Sequence, residues 1–168
     1  YRLTTGVRLG RKSTRALVDG EWVPVFGQNA EVPADATDVK TAQTETVADV
    51  YISKGAPTWD AISPMGRLAF VPKTHPNEIF SGEAFALSVT FDGAPLVGHN
   101  MSVYRSGGHY EEPQFGIEEM TDEDGEVSLT LDEPGVYMIM TRHRADAPNG
   151  AETDERGYTT SLTFEVMK

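Results

Sequence analysis

The sequence predicts an all-β protein, a seven-stranded Greek-key β-sandwich preceded by an extended strand and hairpin segment. Apolar and polar residues alternate over short runs, as from Phe85 to Phe91, which is the period of a strand with one buried face. Turn-forming Asp-Gly and Pro-Gly pairs separate these runs at regular intervals. No stretch has the apolar spacing of an amphipathic helix. Seven strands in about 100 residues are typical of a Greek-key sandwich.

Residues 1–62 are predicted to form the extended strand and hairpin segment. A hairpin joins residues 15–18 to 21–25 through Asp19-Gly20, a strong short hairpin signal, and a long strand follows over 41–53. We expect this segment to be the tail of an upstream domain plus a linker. It should have no core of its own, because a small domain needs more apolar anchors than it offers. Those anchors are Trp22, Val25, Phe26 and Val50.

Residues 63–168 are predicted to form the sandwich, since Pro and Gly residues break the pattern up to Gly66. The predicted strands cover 68–72, 85–91, 97–105, 115–120, 127–131, 136–140 and 158–166. The strand over 136–140 is apolar on both faces and is therefore expected to be central. The residues predicted to face one core are Phe85, Leu87, Val89, Leu129, Leu131, Leu162 and Phe164.

Charge is unevenly distributed along the 168 residues, which carry 14 basic and 26 acidic side chains for a net charge of −12. The first 20 residues sum to +4, whereas the segment 106–141 has ten acidic residues and no Lys or Arg. Such a surface repels phosphate backbones and disfavours nucleic acid, but it suits a cation or a basic partner. The lack of Cys excludes thiol catalysis and Cys-type zinc sites. No apolar run is long enough to span a bilayer.

Three motifs occur in order: G-x-P-L-x-G at 93–98, T-D-x-D-G at 121–125 and P-G-x-Y at 134–137. They resemble the carboxypeptidase-regulatory-like or transthyretin-like sandwich, a prealbumin or Ig-like fold. With residues 70–77 and the closing strand 158–166, the chain resembles a bacterial family of exported proteins of unknown function. Members of that family are often described as periplasmic components of nickel or cobalt uptake.

The resemblance implies an exported, periplasmic protein that works with an envelope transport protein. The family's N-terminal half, with a His just after the signal cleavage point, has no counterpart in these residues. We therefore expect an upstream signal peptide and a further N-terminal segment or partner chain.

Four histidines are the candidates for chemistry, because imidazole is a common ligand of nickel, cobalt, copper and zinc. His109 is the most ligand-like, since Glu111 and Glu112 follow it in a predicted loop. His99 and His143 would join that site if their loops share one end of the sandwich. His75 precedes Pro76 and is expected to cap or pack. Taken singly, each histidine also has a structural interpretation. The predicted metal site, for nickel or cobalt, comprises His109, Glu111, Glu112, His99 and His143.

Catalysis finds little support in the sequence, which lacks the nucleophile-elbow, zinc-protease, P-loop and dinucleotide motifs. Adjacent Glu118 and Glu119 point to opposite faces of a strand and cannot act as a carboxylate pair. Residues 122–126 hold only a fragment of a calcium loop. We therefore predict that the protein is not an enzyme.

Three function classes remain open from the sequence. The first is an exported binding or accessory protein in transition-metal uptake. The second is a structural or protein-protein interaction module of the cell envelope, which docks through loops or an edge strand. The third is a carbohydrate- or peptide-binding module. Its aromatic platforms would be Trp22, Trp59, Tyr104 and Tyr110.

Overall fold

The computed structural model describes residues 1–26, 31–107 and 116–168. These residues form strands joined by turns, with one short 3-10 turn at Trp59–Ala61. None of their helical segments is long and apolar enough to cross a membrane. The all-β prediction is confirmed. The strands are β1 (Arg2–Thr4), β2 (Arg8–Val18), β3 (Glu21–Val25), β4 (Asp38–Tyr51), β5 (Leu68–Pro72), β6 (Ala84–Phe91), β7 (Ala94–Pro95), β8 (Asn100–Arg105), β9 (Gly116–Met120), β10 (Glu126–Thr130), β11 (Gly135–Asp146) and β12 (Glu155–Val166).

The chain divides into two compact units. The first, here the sandwich unit, comprises Tyr1–Val7, Val47–Arg142 and Thr159–Lys168. The second, here the single-sheet unit, comprises Arg8–Thr46 and His143–Tyr158. Strands β4, β11 and β12 contribute residues to both units. The division into 1–62 and 63–168 drawn from the sequence stays a prediction.

Two sheets pack face to face in the sandwich unit. The larger has the order β1-β4-β12-β11-β8-β9, and the smaller has the order β10-β6-β5, with β7 also paired to β6. The antiparallel strand pairs include β1 with β4, β8 with β11, β8 with β9, and β6 with each of β5, β7 and β10. For example, Phe85 of β6 lies opposite Leu129 of β10. The sandwich prediction is confirmed, and the Greek-key order of its connections stays a prediction.

The core of the sandwich unit lies between these sheets. The ring of Phe85 in the small sheet lies 4.8 Å from that of Phe164 in the large sheet. Tyr137 stacks on Phe164 from the neighbouring strand, with ring centroids 6.0 Å apart. All seven residues predicted to face one core are buried. Alternation along these strands therefore identified the inner face correctly, because the residues that face the other sheet are the ones removed from water.

All seven predicted strands are present between Leu68 and Val166, and the two-residue β7 is added to them. One prediction of detail was wrong. The strand predicted over 136–140 continues to Asp146, so His143 lies within β11 and not after it. The prediction that this strand is central is confirmed, because β11 lies between β12 and β8. Its apolar outer face is nevertheless partly open to solvent, with Val136 46% exposed.

Two of the sequence motifs interlock in the sandwich unit. Thr121 Oγ1 donates to the carbonyl of Leu96 at 2.5 Å and accepts from the His99 N–H at 2.8 Å. Gly125 has φ +72°, and a Cβ there would lie 2.8 Å from Pro95 Cβ. Only glycine meets both constraints without strain. The G-x-P-L-x-G and T-D-x-D-G motifs thus join the loop before β8 to the connection from β9 to β10.

The predicted hairpin of β2 and β3 is confirmed in the single-sheet unit. Val18 pairs with Glu21, and the two turn residues, Asp19 and Gly20, have φ +50° and +83°. Two consecutive positive φ values identify a type I′ turn, whose twist matches that of the flanking strands. Strand β2 also pairs with β4, which places Arg15 directly opposite Lys40.

Candidate functional site

Three of the five residues of the predicted metal site lie outside the described part of the chain. His109, Glu111 and Glu112 fall within residues 108–115, outside the described part of the chain. His99 and His143 are described; both are half-buried, the first in the sandwich unit and the second in the single-sheet unit. Among residues 1–26, 31–107 and 116–168, no three His, Asp or Glu side chains form a group able to hold a metal ion. The metal site therefore stays a prediction.

His75 has a structural role, in agreement with the expectation that it caps or packs. Its side chain is buried, and its Nδ1 accepts the N–H of Asn77 at 3.1 Å. Nε2 must then carry the proton, and it donates to the carbonyl of Thr58 at 3.1 Å. The Trp59 ring meets the imidazole edge-on at 5.2 Å. Both ring nitrogens are engaged, so His75 offers no lone pair to a metal.

His99 occupies a position at the rim of the sandwich core. It lies two residues before Met101 and four before Val103, both buried on the inner face of β8. Its backbone N–H and carbonyl are both bonded to Thr121, through Thr121 Oγ1 at 2.8 Å and the Thr121 N–H at 3.1 Å. These bonds fix the backbone from which the imidazole projects.

Two clefts in the sandwich unit flank the segment that follows β4. The larger, of about 510 Å³, is lined by apolar side chains that include Val50, Pro57 and Phe164. The smaller, of about 360 Å³, is lined by residues that include Tyr1, Ala56 and His75. Both volumes fall in the range of small-molecule sites. Tyr51, Ile52 and Ser53 line both clefts.

The shared wall of the two clefts is held in place by hydrogen bonds and charge. In the amide orientation that satisfies both ends, Asn77 donates to the Tyr51 carbonyl at 2.9 Å and accepts from Ser53 N–H and Oγ at 2.8 Å. The guanidinium of Arg2 lies 5.8 Å from the Tyr51 ring centroid and pairs with both carboxylate oxygens of Asp49. Burial raises the pKa of the Tyr51 phenol above its ordinary value, so it stays a neutral donor at pH 7.

Of the four predicted aromatic platforms, three lie in the described part of the chain. Trp59 is 50% and Tyr104 is 39% exposed in the sandwich unit. Trp22 is half-buried in the single-sheet unit, and Tyr110 lies outside the described residues. The sequence analysis missed Tyr51, Asn77 and Phe164 as cleft residues. A signal was available at Tyr51, which ends a strand and precedes a Gly- and Pro-containing loop, a common setting for ligand contacts.

The two units differ in net charge. The ranges of the sandwich unit contain 7 basic and 16 acidic residues, a net charge of −9. Those of the single-sheet unit contain 7 basic and 10 acidic residues, a net charge of −3. The field of the sandwich unit therefore favours cations in its surroundings.

Comparison with protein families gives one match. The model of a family described as a domain of unknown function (DUF4198) matches residues 1–145. This confirms the resemblance to a family of unknown function that the sequence motifs indicated. Neither the curated proteins nor the solved structures contain a match.

Proposed function

The chain belongs to the DUF4198 family of domains of unknown function, and from that premise we propose that it is an exported, non-catalytic binding protein for a divalent transition metal, nickel or cobalt. The observation that carries the proposal is the net charge of −9 on the sandwich unit. A cation that approaches this unit gains Coulomb attraction, while an anionic ligand is repelled. The protein would act as an accessory to an envelope transport protein.

The ligands proposed for the metal are His109, Glu111 and Glu112, supplemented by His99 or His143. Ten acidic residues and no Lys or Arg lie between 106 and 141. Two of these acidic residues pair with basic residues outside the segment, Glu133 with Arg105 and Glu126 with Lys73, and the segment keeps an excess of negative charge. Imidazole adds a borderline-soft nitrogen donor, which favours nickel, cobalt, copper or zinc over calcium. The exported location rests on the resemblance of the motifs to an exported family. Fractionation of cells that express the full-length gene tests it.

Replacing His109 by alanine is expected to weaken nickel binding at least about tenfold, because even loss of groups that only orient a metal ligand costs 10–100-fold. Glu111→Ala should have a similar effect. The matched control is Glu123→Ala, which removes one exposed carboxylate from the same acidic segment. Isothermal titration calorimetry with nickel and cobalt measures all four proteins. Equal affinity for the wild type, H109A and E111A would refute the proposed ligand set.

A second candidate function is peptide binding in the larger cleft, and the apolar lining of that cleft favours it over carbohydrate binding. Val136, Phe164 and Met167 are among its apolar lining residues, and Asn77 and Glu165 are among its polar ones. An apolar cleft with a few polar groups is the usual form of a ligand site. This candidate is independent of the metal proposal.

The peptide candidate predicts that N-phenyl-1-naphthylamine, a neutral apolar fluorophore, binds saturably and that Val136→Trp weakens its binding severalfold by filling the cleft. Val97→Trp is the control, because Val97 is an exposed valine that does not line the cleft. Fluorescence titration gives both affinities. Equal binding by V136W and V97W would show that the fluorophore binds elsewhere and would remove the basis for this candidate.

A further inference from the structure

Three basic side chains converge on one buried carboxylate in the single-sheet unit. Glu155 of β12 is 7% exposed, and its Oε2 accepts from Arg15 of β2 and from Arg144 Nη1 at 3.0 Å. Its Oε1 accepts from Lys40 Nζ of β4 at 3.2 Å. The three cations thus come from three different strands and share a single anionic partner.

One carboxylate does not compensate these cations. Arg15 and Lys40 are direct cross-strand neighbours, and like charges placed opposite each other destabilise a sheet. Arg15 Nε is buried and has no hydrogen-bond partner among the described residues. The carboxylate of Asp154 also attracts Lys40 electrostatically. Its Oδ2, however, accepts hydrogen bonds from the N–H and the hydroxyl of Thr41, both at 2.7 Å. With both acids counted, the cluster keeps a net charge of +1 in a chain of −12.

An indole ring forms the side of the cluster. Trp22 of β3 has the Arg15 guanidinium carbon 4.6 Å and Lys40 Nζ 5.5 Å from its ring centroid. Both distances fall within the range of cation–π attraction, so the ring helps to hold two like charges together. The cluster remains accessible to solutes, because the side chains of Lys40 and Arg144 are 38% and 51% exposed. Arg144 therefore has guanidinium donors that face solvent.

We propose that Arg15, Lys40, Arg144 and Trp22 form a binding site for an anionic ligand, which they engage through a carboxylate or phosphate group. Guanidinium groups match both anions with paired, charge-assisted hydrogen bonds. A bound anion supplies the negative charge that Glu155 alone does not, and it relieves the repulsion between Arg15 and Lys40. Local conflicts of this kind, paid for elsewhere in a fold, are characteristic of functional sites.

The test uses Trp22 as the reporter. The chain has two tryptophans, so Trp59→Phe leaves Trp22 as the only indole. This variant is titrated with D-glucuronate, with D-glucose as the neutral counterpart, and with inorganic phosphate, at ionic strength held constant with sodium chloride. We expect saturable changes in fluorescence with glucuronate, phosphate or both, and none with glucose. Response to one anion alone identifies the preferred group. Calorimetry on the wild-type protein provides the same comparison without a substitution.

Arg144→Ala, made in the same background, should weaken anion binding about tenfold or more, because it removes a charged hydrogen-bond donor. Arg67→Ala is the matched control. Arg67 also pairs with one carboxylate, Asp92, and lies over an aromatic ring, but it belongs to the sandwich unit. Binding by R67A should equal that of the parent protein. No saturable response to either anion, or equal weakening by R144A and R67A, would overturn the proposal.

Discussion

Phe85→Ala is expected to lower the free energy of unfolding by about 3–5 kcal/mol, the usual cost of truncating a fully buried phenylalanine. Phe85 is 0% exposed and lies in β6, between β5 and β10 in the small sheet. Its ring bridges the two sheets through the contact with Phe164 at 4.8 Å. The substitution therefore removes buried apolar surface and leaves a cavity between the two sheets, which can relax into that space only in part.

Urea denaturation followed by circular dichroism measures this effect, with Phe26→Ala as the control. Phe26 is 80% exposed, so the same change of side chain should alter stability by no more than about 0.5 kcal/mol. Similar midpoints for F85A and F26A would contradict the placement of Phe85 in the core.

Glu155→Ala is expected to destabilise the protein by about 2–3 kcal/mol. Removing one partner of a buried ion pair costs roughly 3–5 kcal/mol. We expect a cost below that range here, because the side chains of Lys40 and Arg144 are partly exposed and can be solvated by water when Glu155 is absent. Glu152→Ala is the matched control. Glu152 pairs with Lys12 in the same unit, but both side chains are more than half exposed, and such pairs contribute at most about 1 kcal/mol. Equal stability of E155A and E152A would contradict the assignment of Glu155 as the centre of the cluster.

The same cluster gives the protein a defined dependence on pH. Burial raises the pKa of the Glu155 carboxyl, but the hydrogen bonds from Arg144 and Lys40 and the charge of Arg15 outweigh it and leave the pKa below its ordinary value. A depressed folded-state pKa stabilises the fold above the unfolded pKa of about 4.3, and this stabilisation is lost as pH falls through the folded value. The stability difference between wild type and Glu155→Gln should therefore be constant near pH 7 and shrink below about pH 4.

Period-2 alternation and turn chemistry were sufficient to predict most of the fold. Phe85, Leu87 and Val89 alternate with smaller or polar residues, and burial of one sheet face makes that pattern informative. Asp19-Gly20 and Asp92-Gly93 both adopt the consecutive positive φ values that such pairs favour. In these places local preference and tertiary structure agree, so sequence reasoning succeeds.

Polar strand ends could not be predicted in the same way. Strand β2 begins at Arg8, seven residues before the predicted start, and its first six residues are all exposed. Strand β12 likewise begins at Glu155, three residues before its predicted start. Neither the exposed residues that begin β2 nor the buried charged residues Glu155 and Arg156 that begin β12 show an apolar–polar alternation, and their extended conformation is set by pairing with neighbouring strands. Only the tertiary structure supplies that information.

The cluster of Arg15, Lys40 and Arg144 around Glu155 could not be predicted from the sequence either. Its members are separated by up to 140 residues between Arg15 and Glu155, and none forms part of a local motif. The register of β2 on β4 and the strand order through β12 to β11 bring them together. Charge counting along the chain found the basic N-terminal segment, but it could not find the single buried acid on which three basic residues converge.

The most direct test of the proposed function is the binding of nickel to the wild-type protein in the presence of excess calcium, measured by equilibrium dialysis. We predict one saturable nickel ion per chain that calcium does not displace, because imidazole nitrogen and not charge alone selects the metal. An absence of saturable nickel binding, or complete displacement of nickel by calcium, would contradict the proposal that this protein is a transition-metal binding protein.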